Sequence, residues 1–170
     1  VRVFLSYRRS DGIALPKLIK TKLLTHPKVR SVFLDIDDLG HDQPFPDRLR
    51  RQIARTDLML ALIGEQWEGT GPEGTTRLQQ EGDWVHAELR HALNISNTRL
   101  VPVLIDGRPM PQGLPDDIAR LGDANAIGVR TAHFDADMNG LAHALLGGGF
   151  GSAPALWRRA LRAVGFAAPR

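Results

Sequence analysis

The stretch Asp83-Trp84-Val85-His86-Ala87-Glu88 opens a predicted helix over 84–93 and gathers an indole, an imidazole and a carboxylate near its start. On a helical wheel from Asp83, residues Val85, Leu89, Ala92 and Leu93 form the core face. Trp84 and Glu88 stand one turn apart on the flank, with His91 beside them. A tryptophan off the core face, one turn from a carboxylate and near a helix N-terminus, suits a binding or catalytic site. The competing reading is that Trp84 packs under a loop and Glu88 is a solvated charge, since exposed apolar residues are common.

Other patterns invite chemistry and fail on their partners. Asp35-x-Asp37 at a strand end resembles the nucleophile motif of haloacid-dehalogenase phosphatases, which needs a later lysine, yet all four lysines lie at or before Lys28. Read as a calcium loop, the same acids put Leu39 at the third ligand and Pro46 at the twelfth, where a bidentate glutamate is required. A phosphoacceptor aspartate after the third strand is absent, Gly64 standing there. His86 and His91 are five residues apart, off a common helix face, and so a poor zinc pair. No Gly-x-Gly-x-x-Gly follows the first strand, which argues against a dehydrogenase cofactor site.

These residues must be positioned by a chain of 170 residues, 42% hydrophobic and 24% charged, the composition of one globular domain. No apolar run approaches the roughly 18 residues of a spanning helix. Cysteine is absent, which excludes disulfides, thiolate nucleophiles and cysteine-ligated zinc and makes a reducing cytoplasm the default location. The chain opens on Val1 without an initiator methionine, as a fragment of a longer protein would. The pI of about 9.8 suggests a nucleic-acid partner. Four arginines (Arg158, Arg159, Arg162, Arg170) sit in an acid-free tail, however, and without them the net charge of +3 becomes −1. A near-neutral domain lacks the cationic stripe that drives phosphate-backbone affinity.

Strand and helix signals alternate along the chain. Strands are expected at Val1–Ser6, Ser31–Ile36, Leu58–Ile63, Leu100–Ile105 and, weakly, Ala126–Val129. Pro102 suggests that the fourth is an edge or carries a bulge. Helices are expected at Ile13–Leu24, for about ten residues from near Pro46, at Trp84–Leu93 capped by Asp83, briefly from Pro115, and at Asp135–Leu146. Glu65–Gly82, with four glycines and a proline, reads as a long mobile loop. The economical fold is a flavodoxin-like, doubly wound α/β domain with a five-stranded parallel sheet in the order 2-1-3-4-5. Ligands of such sheets bind beyond the carboxyl ends of the strands. The domain should span 1–146, and 147–170 reads as a glycine-rich linker and basic tail leading to a partner region. Leu156–Phe166 could form a basic amphipathic helix on a membrane surface, the less favoured option.

Five segments in register carry a resemblance: Phe4-Leu5-Ser6-Tyr7-Arg8-Arg9, Val32-Phe33-Leu34-Asp35, Trp84-Val85-His86-Ala87-Glu88, Val101-Pro102-Val103-Leu104-Ile105-Asp106 and Leu114-Pro115. Together they resemble a Toll/interleukin-1 receptor (TIR) domain of the bacterial, NAD-cleaving type, over about residues 1–146. The resemblance implies an NAD+ hydrolase or cyclase of the cytoplasm, active on self-association and serving bacterial antiphage immunity. NAD is then substrate, and neither cofactor nor metal is required. It implies Glu88 as the catalytic residue, Trp84 stacked on the nicotinamide, and Tyr7, Arg8 and Arg9 beside the nucleotide. Asp35 and Phe45 fall in and around the BB loop, which closes over the site and joins neighbouring subunits. Many relatives carry Glu-x-Gly in that loop, where this chain has Gly40-His41-Asp42, so a contact there is expected to differ. The alternative under the same resemblance is a non-catalytic module that recruits other TIR domains. Partners would be NAD+, further TIR copies and an unidentified downstream domain or sensor, with no nucleic acid and no membrane.

Overall fold

A computed structural model describes residues 1–34, 47–95 and 97–150. Five strands, β1 (Arg2–Tyr7), β2 (Ser31–Leu34), β3 (Leu58–Ile63), β4 (Arg99–Ile105) and β5 (Ile127–Val129), form one sheet in the order β2-β1-β3-β4-β5. Every pairing is parallel. The helices are α1 (Ala14–Leu24), α2 (Asp47–Ala54), α3 (Trp84–Leu93) and α4 (Phe134–Leu146). The chain steps from β1 outward to β2, then crosses back to β3 on the other side of β1. The gap between β1 and β3 is therefore the topological switch point, where the loops diverge and leave a crevice.

Period-two alternation sorts the side chains onto two faces. Val3, Leu5 and Tyr7 of β1 join α1 and α4 in one buried cluster. Phe4 joins Met59, Ala61 and Ile63 of β3 in the other, against α2 and α3. Leu58–Ile63 is buried along its whole length, as a central strand covered on both faces must be.

Three details depart from the sequence reading. Pro102 lies in an interior strand, not at an edge: it pairs in register with Ala61 of β3, while β5 meets β4 only from Val103 onward. Its missing N–H thus falls where the β5 side is open. The segment after β3 is built as an ordered excursion, with 3-10 turns at Pro72–Gly74 and Arg77–Gln79 and with Trp67 and Leu78 sunk in the α2/α3 core. A capping box between Thr76 and Gln79 closes its second turn. Pro115 is followed by turns and a 3-10 helix at Ala119–Leu121, whose Leu121 seals the same core. The chain beyond α4 stays docked as far as Phe150: its N–H donates to Asn139 at 3.2 Å, and its ring meets His26 edge-on.

At the amino end of the sheet, Asp57 takes hydrogen bonds from the Arg2 backbone N–H and from its guanidinium, both at 2.7 Å. The Arg2 bonds hold the Asp57 carboxyl down at about 2, against an ordinary 3.8. Because the folded-state value is the lower one, this stabilisation is present above pH 3.8 and fades as pH falls through 2. Both side chains are nearly half exposed, so solvent screening keeps the pair's contribution small. Asp57→Asn should lower the urea midpoint slightly at neutral pH, and the difference from wild type should narrow between about pH 4 and pH 2.

Candidate active site

The carboxyl end of β1 sends four consecutive residues to three environments. Leu5 enters the α1/α4 core, Ser6 faces α3, Tyr7 turns back to the α1 side, and Arg8 leaves the sheet toward the start of α3. Arg8 is 5% exposed and Asp83 is 4% exposed, and they form a forked ion pair with N–O distances of 2.5 and 3.1 Å. Arg8 Nε also donates to the Trp67 carbonyl at 2.9 Å. Asp83 is the N-cap expected from the sequence: its Oδ1 accepts the His86 N–H at 3.0 Å. One carboxylate thus caps the helix and anchors it to the strand.

That anchor sets where α3 presents Glu88. The Glu88 side chain reaches the sheet, and Ser6 Oγ donates to its Oε2 at 2.6 Å. Glu88 is 2% exposed and Ser6 is fully buried, which rules out a solvated charge on the helix flank. Ser6 is the penultimate residue of β1 and pairs with Ala61 of β3, so the carboxylate lies at the carboxyl edge beside the switch point. Trp84, one turn earlier, is half-buried against the α2/α3 core.

Two cavities lined by described residues flank this arrangement, and Glu88 lines neither of these. One, of 490 Å³, runs along the outer side of α3 between Trp84, His86, Arg90, Gln80 and Arg50. The other, of 630 Å³, opens on the α1 side over Tyr7, Leu62 and Ile105, under a rim that includes Asp11, Glu65 and Asp106. Burial pushes the Asp11 carboxyl up from its ordinary range, opposed by the Gln66 N–H that it accepts at 2.5 Å. Asp11 lies so close to Gly64 that a Cβ there would come within 2.6 Å of its carboxyl carbon.

The sequence-predicted residues are therefore distributed as follows. Glu88 and Trp84 share one helix flank at the carboxyl edge, and Tyr7 borders the larger cavity on the opposite sheet face. Arg8 is committed to Asp83 and Trp67, whereas Arg9 is exposed at the start of a 3-10 turn, Arg9–Asp11. Asp35 and Phe45, with the Gly40-His41-Asp42 departure, lie outside the described residues. Ser6, Asp83 as partner of Arg8, and Trp67 escaped the sequence reading. Ser6 left a signal: a polar residue alternating with Phe4 on a strand face that must meet α3 needs a buried partner.

A sequence profile of the TIR domain fits residues 3–143. The chain belongs to the TIR domain family. It is 30% identical over 132 residues to a protein named NAD(+) hydrolase sarm1 from Drosophila melanogaster, covering 74% of this chain and 9% of that protein. It is 31% identical over 129 residues to NAD(+) hydrolase SARM1 of Danio rerio, covering 74% and 16%. It is 29% identical over 133 residues to NAD(+) hydrolase tir-1 of Caenorhabditis elegans, covering 75% and 12%. This TIR chain thus spans less than a fifth of the length of each of these relatives. No helix among its described residues is long and apolar enough to cross a membrane.

Removing one partner of a buried ion pair strands the other charge, at a cost of about 3–5 kcal/mol. Arg8→Ala should therefore destabilise the TIR domain by that order in a urea titration. Asp83→Asn, which keeps a capping oxygen and removes the charge, should cost less than Asp83→Ala in the same measurement.

Proposed function

We propose that this TIR domain cleaves the nicotinamide–ribose bond of NAD+, with Glu88 as its catalytic residue. The observation that carries the reading is the placement of the Glu88 carboxylate, at the carboxyl edge of the sheet and one helical turn from Trp84. The names of the three relatives support it.

A single carboxylate suffices because of the leaving group. Glycosidases ordinarily need a general acid, since an alkoxide departs poorly. Nicotinamide in NAD+ is a pyridinium. When its bond to the ribose C1′ breaks, the electron pair returns to the ring nitrogen and a neutral amine leaves without a proton. The remaining demand is to stabilise a positive ribosyl centre, which a fixed anion does electrostatically. Glu88 can also accept hydrogen bonds from ribose hydroxyls and so orient the sugar. The Trp84 π-face suits the cationic ring, an interaction of roughly 0.5–2 kcal/mol. Arg9, on the exposed rim, takes the role of diphosphate contact that Arg8 cannot fill while it holds Asp83. Tyr7, and Asp35 and Phe45 of the BB loop, complete the proposed substrate-binding set. Attack of water on C1′ gives ADP-ribose and a proton; attack by an adenine nitrogen or a ribose hydroxyl of the same molecule gives a cyclic product.

Glu88 is 2% exposed, so the ribose can reach it only after neighbouring groups shift. We assign that step to self-association of TIR copies, in keeping with a role in bacterial antiphage immunity through NAD depletion or a nucleotide signal. The same burial favours the second reading, a non-catalytic TIR–TIR interaction module in which Glu88 is structural. Incubating concentrated protein with NAD+ and resolving the products chromatographically separates the two. The enzyme reading expects nicotinamide to appear with ADP-ribose or a cyclic isomer, more at high protein concentration than at low, and Glu88→Ala to abolish its release while the fold is retained. Undiminished nicotinamide release by Glu88→Ala, or none by wild type when concentrated and crowded, overturns it.

A further inference from the structure

We propose that Ser6 is a positioning residue that keeps the Glu88 carboxylate ionised and aimed along the carboxyl edge of the sheet. The inference rests on the NAD-cleaving reading for its catalytic consequence, although the interaction itself stands on geometry alone. Ser6 Oγ donates to Glu88 Oε2 at 2.6 Å across 82 residues of sequence. Neither group can exchange this contact for bulk water, since Ser6 is 0% and Glu88 2% exposed. A hydrogen bond donated to a buried carboxylate favours its charged form, whereas burial alone favours the neutral one. A neutral Glu88 could not stabilise a positive ribosyl centre.

The donor sits on an interior strand of the sheet. Residue 6 is in β1, which is paired with β2 on one side and β3 on the other, with Ser6 itself in register with Ala61. The hydroxyl therefore has little freedom to follow a wandering carboxylate. The other end is fixed as well, because Asp83 ties the start of α3 to Arg8, two residues beyond Ser6. Size matters too. Phe4 precedes on the same strand face and packs on Phe33 at 5.2 Å between centroids, filling that position with an aromatic ring. The small side chain at residue 6 leaves room for Glu88 to reach the strand. Serine meets both demands, a short side chain and a donor.

Two measurements on the 170-residue chain test this. The first needs no substrate: urea unfolding of wild type, Ser6→Ala, Glu88→Gln and the double variant between pH 4 and pH 8. The stability gap between wild type and Ser6→Ala should be widest at high pH, where Glu88 is charged, and should close as pH falls. It should largely vanish in the Glu88→Gln background, giving a non-zero coupling in the cycle. The second is nicotinamide release from NAD+ against pH. In Ser6→Ala the acid limb should move upward by roughly one pH unit, a tenfold change in proton affinity, with kcat reduced more than KM is raised. Ser6→Thr, which retains a hydroxyl, should restore the limb. Ser6→Cys, close in size but a weak donor, should not. Additive effects of Ser6→Ala and Glu88→Gln at every pH would overturn the proposal, as would an acid limb that stays in place while activity falls. If the coupling is found but no variant, wild type included, releases nicotinamide, the NAD-cleaving reading fails and the Ser6–Glu88 linkage stands.

Discussion

The arrangement at the carboxyl edge depends on a buried ion pair. Arg8 and Asp83 come from the end of the first strand and the start of the third helix, 75 residues apart in sequence. Taking two charges out of water is expensive, and their attraction offsets that cost only when geometry is good and the remaining hydrogen-bonding groups are filled. Both conditions are met. The guanidinium fork takes both Asp83 oxygens and the Trp67 carbonyl, and Asp83 also receives the His86 N–H. Hydrophobic packing alone would let α3 slide or rotate by small amounts on the sheet. A directional, desolvated pair fixes its rise along β1, and with it the height at which Glu88 meets Ser6.

Trp67 links this pair to the excursion after β3. Its carbonyl receives Arg8 while its indole is 0% exposed in the α2/α3 core beside Leu78. The long segment is thus part of the machinery that aligns α3, and its glycines serve turn geometry. Gly69, for example, takes a φ of 67°, which an L side chain rarely adopts. A buried tryptophan supplies apolar area that offsets the entropy of ordering a loop.

Much of the fold was legible because its signals are local and periodic. Leu58–Ile63 is apolar throughout and can only be a strand covered on both faces; Asp83 before Trp84–Leu93 is a cap by residue type and place. Alternation of strand and helix pointed to a doubly wound parallel sheet, and the expected flavodoxin-like order 2-1-3-4-5 is the one observed. What escaped was each feature decided by a distant partner. Wheel geometry put Glu88 on a flank, yet a side chain of that length bends inward when a strand offers a donor. The resemblance placed Arg8 beside the nucleotide; that its guanidinium holds the helix cap depends on a contact no local pattern encodes. Glycine content made 65–82 look loose, and two apolar anchors, Trp67 and Leu78, outweighed it.

The carboxylates of Asp83, at the N-cap of α3, and Glu88, within it, are buried in two different ways. Asp83 and Glu88 are both buried, but their compensation differs in kind. Asp83 faces a full opposite charge, which fixes it as a structural anion. Glu88 takes, among its contacts, a neutral hydroxyl from Ser6, which orients it. On the proposed NAD-cleaving reading, an arginine at residue 6 would stabilise the anion more strongly but would also neutralise the field offered to a cationic sugar. A catalytic anion is useful in proportion to the charge left unbalanced around it, and a structural anion in proportion to the charge that is matched. The strand end Ser6-Tyr7-Arg8 makes both contacts two residues apart: Arg8 matches the charge of Asp83, and Ser6 orients Glu88.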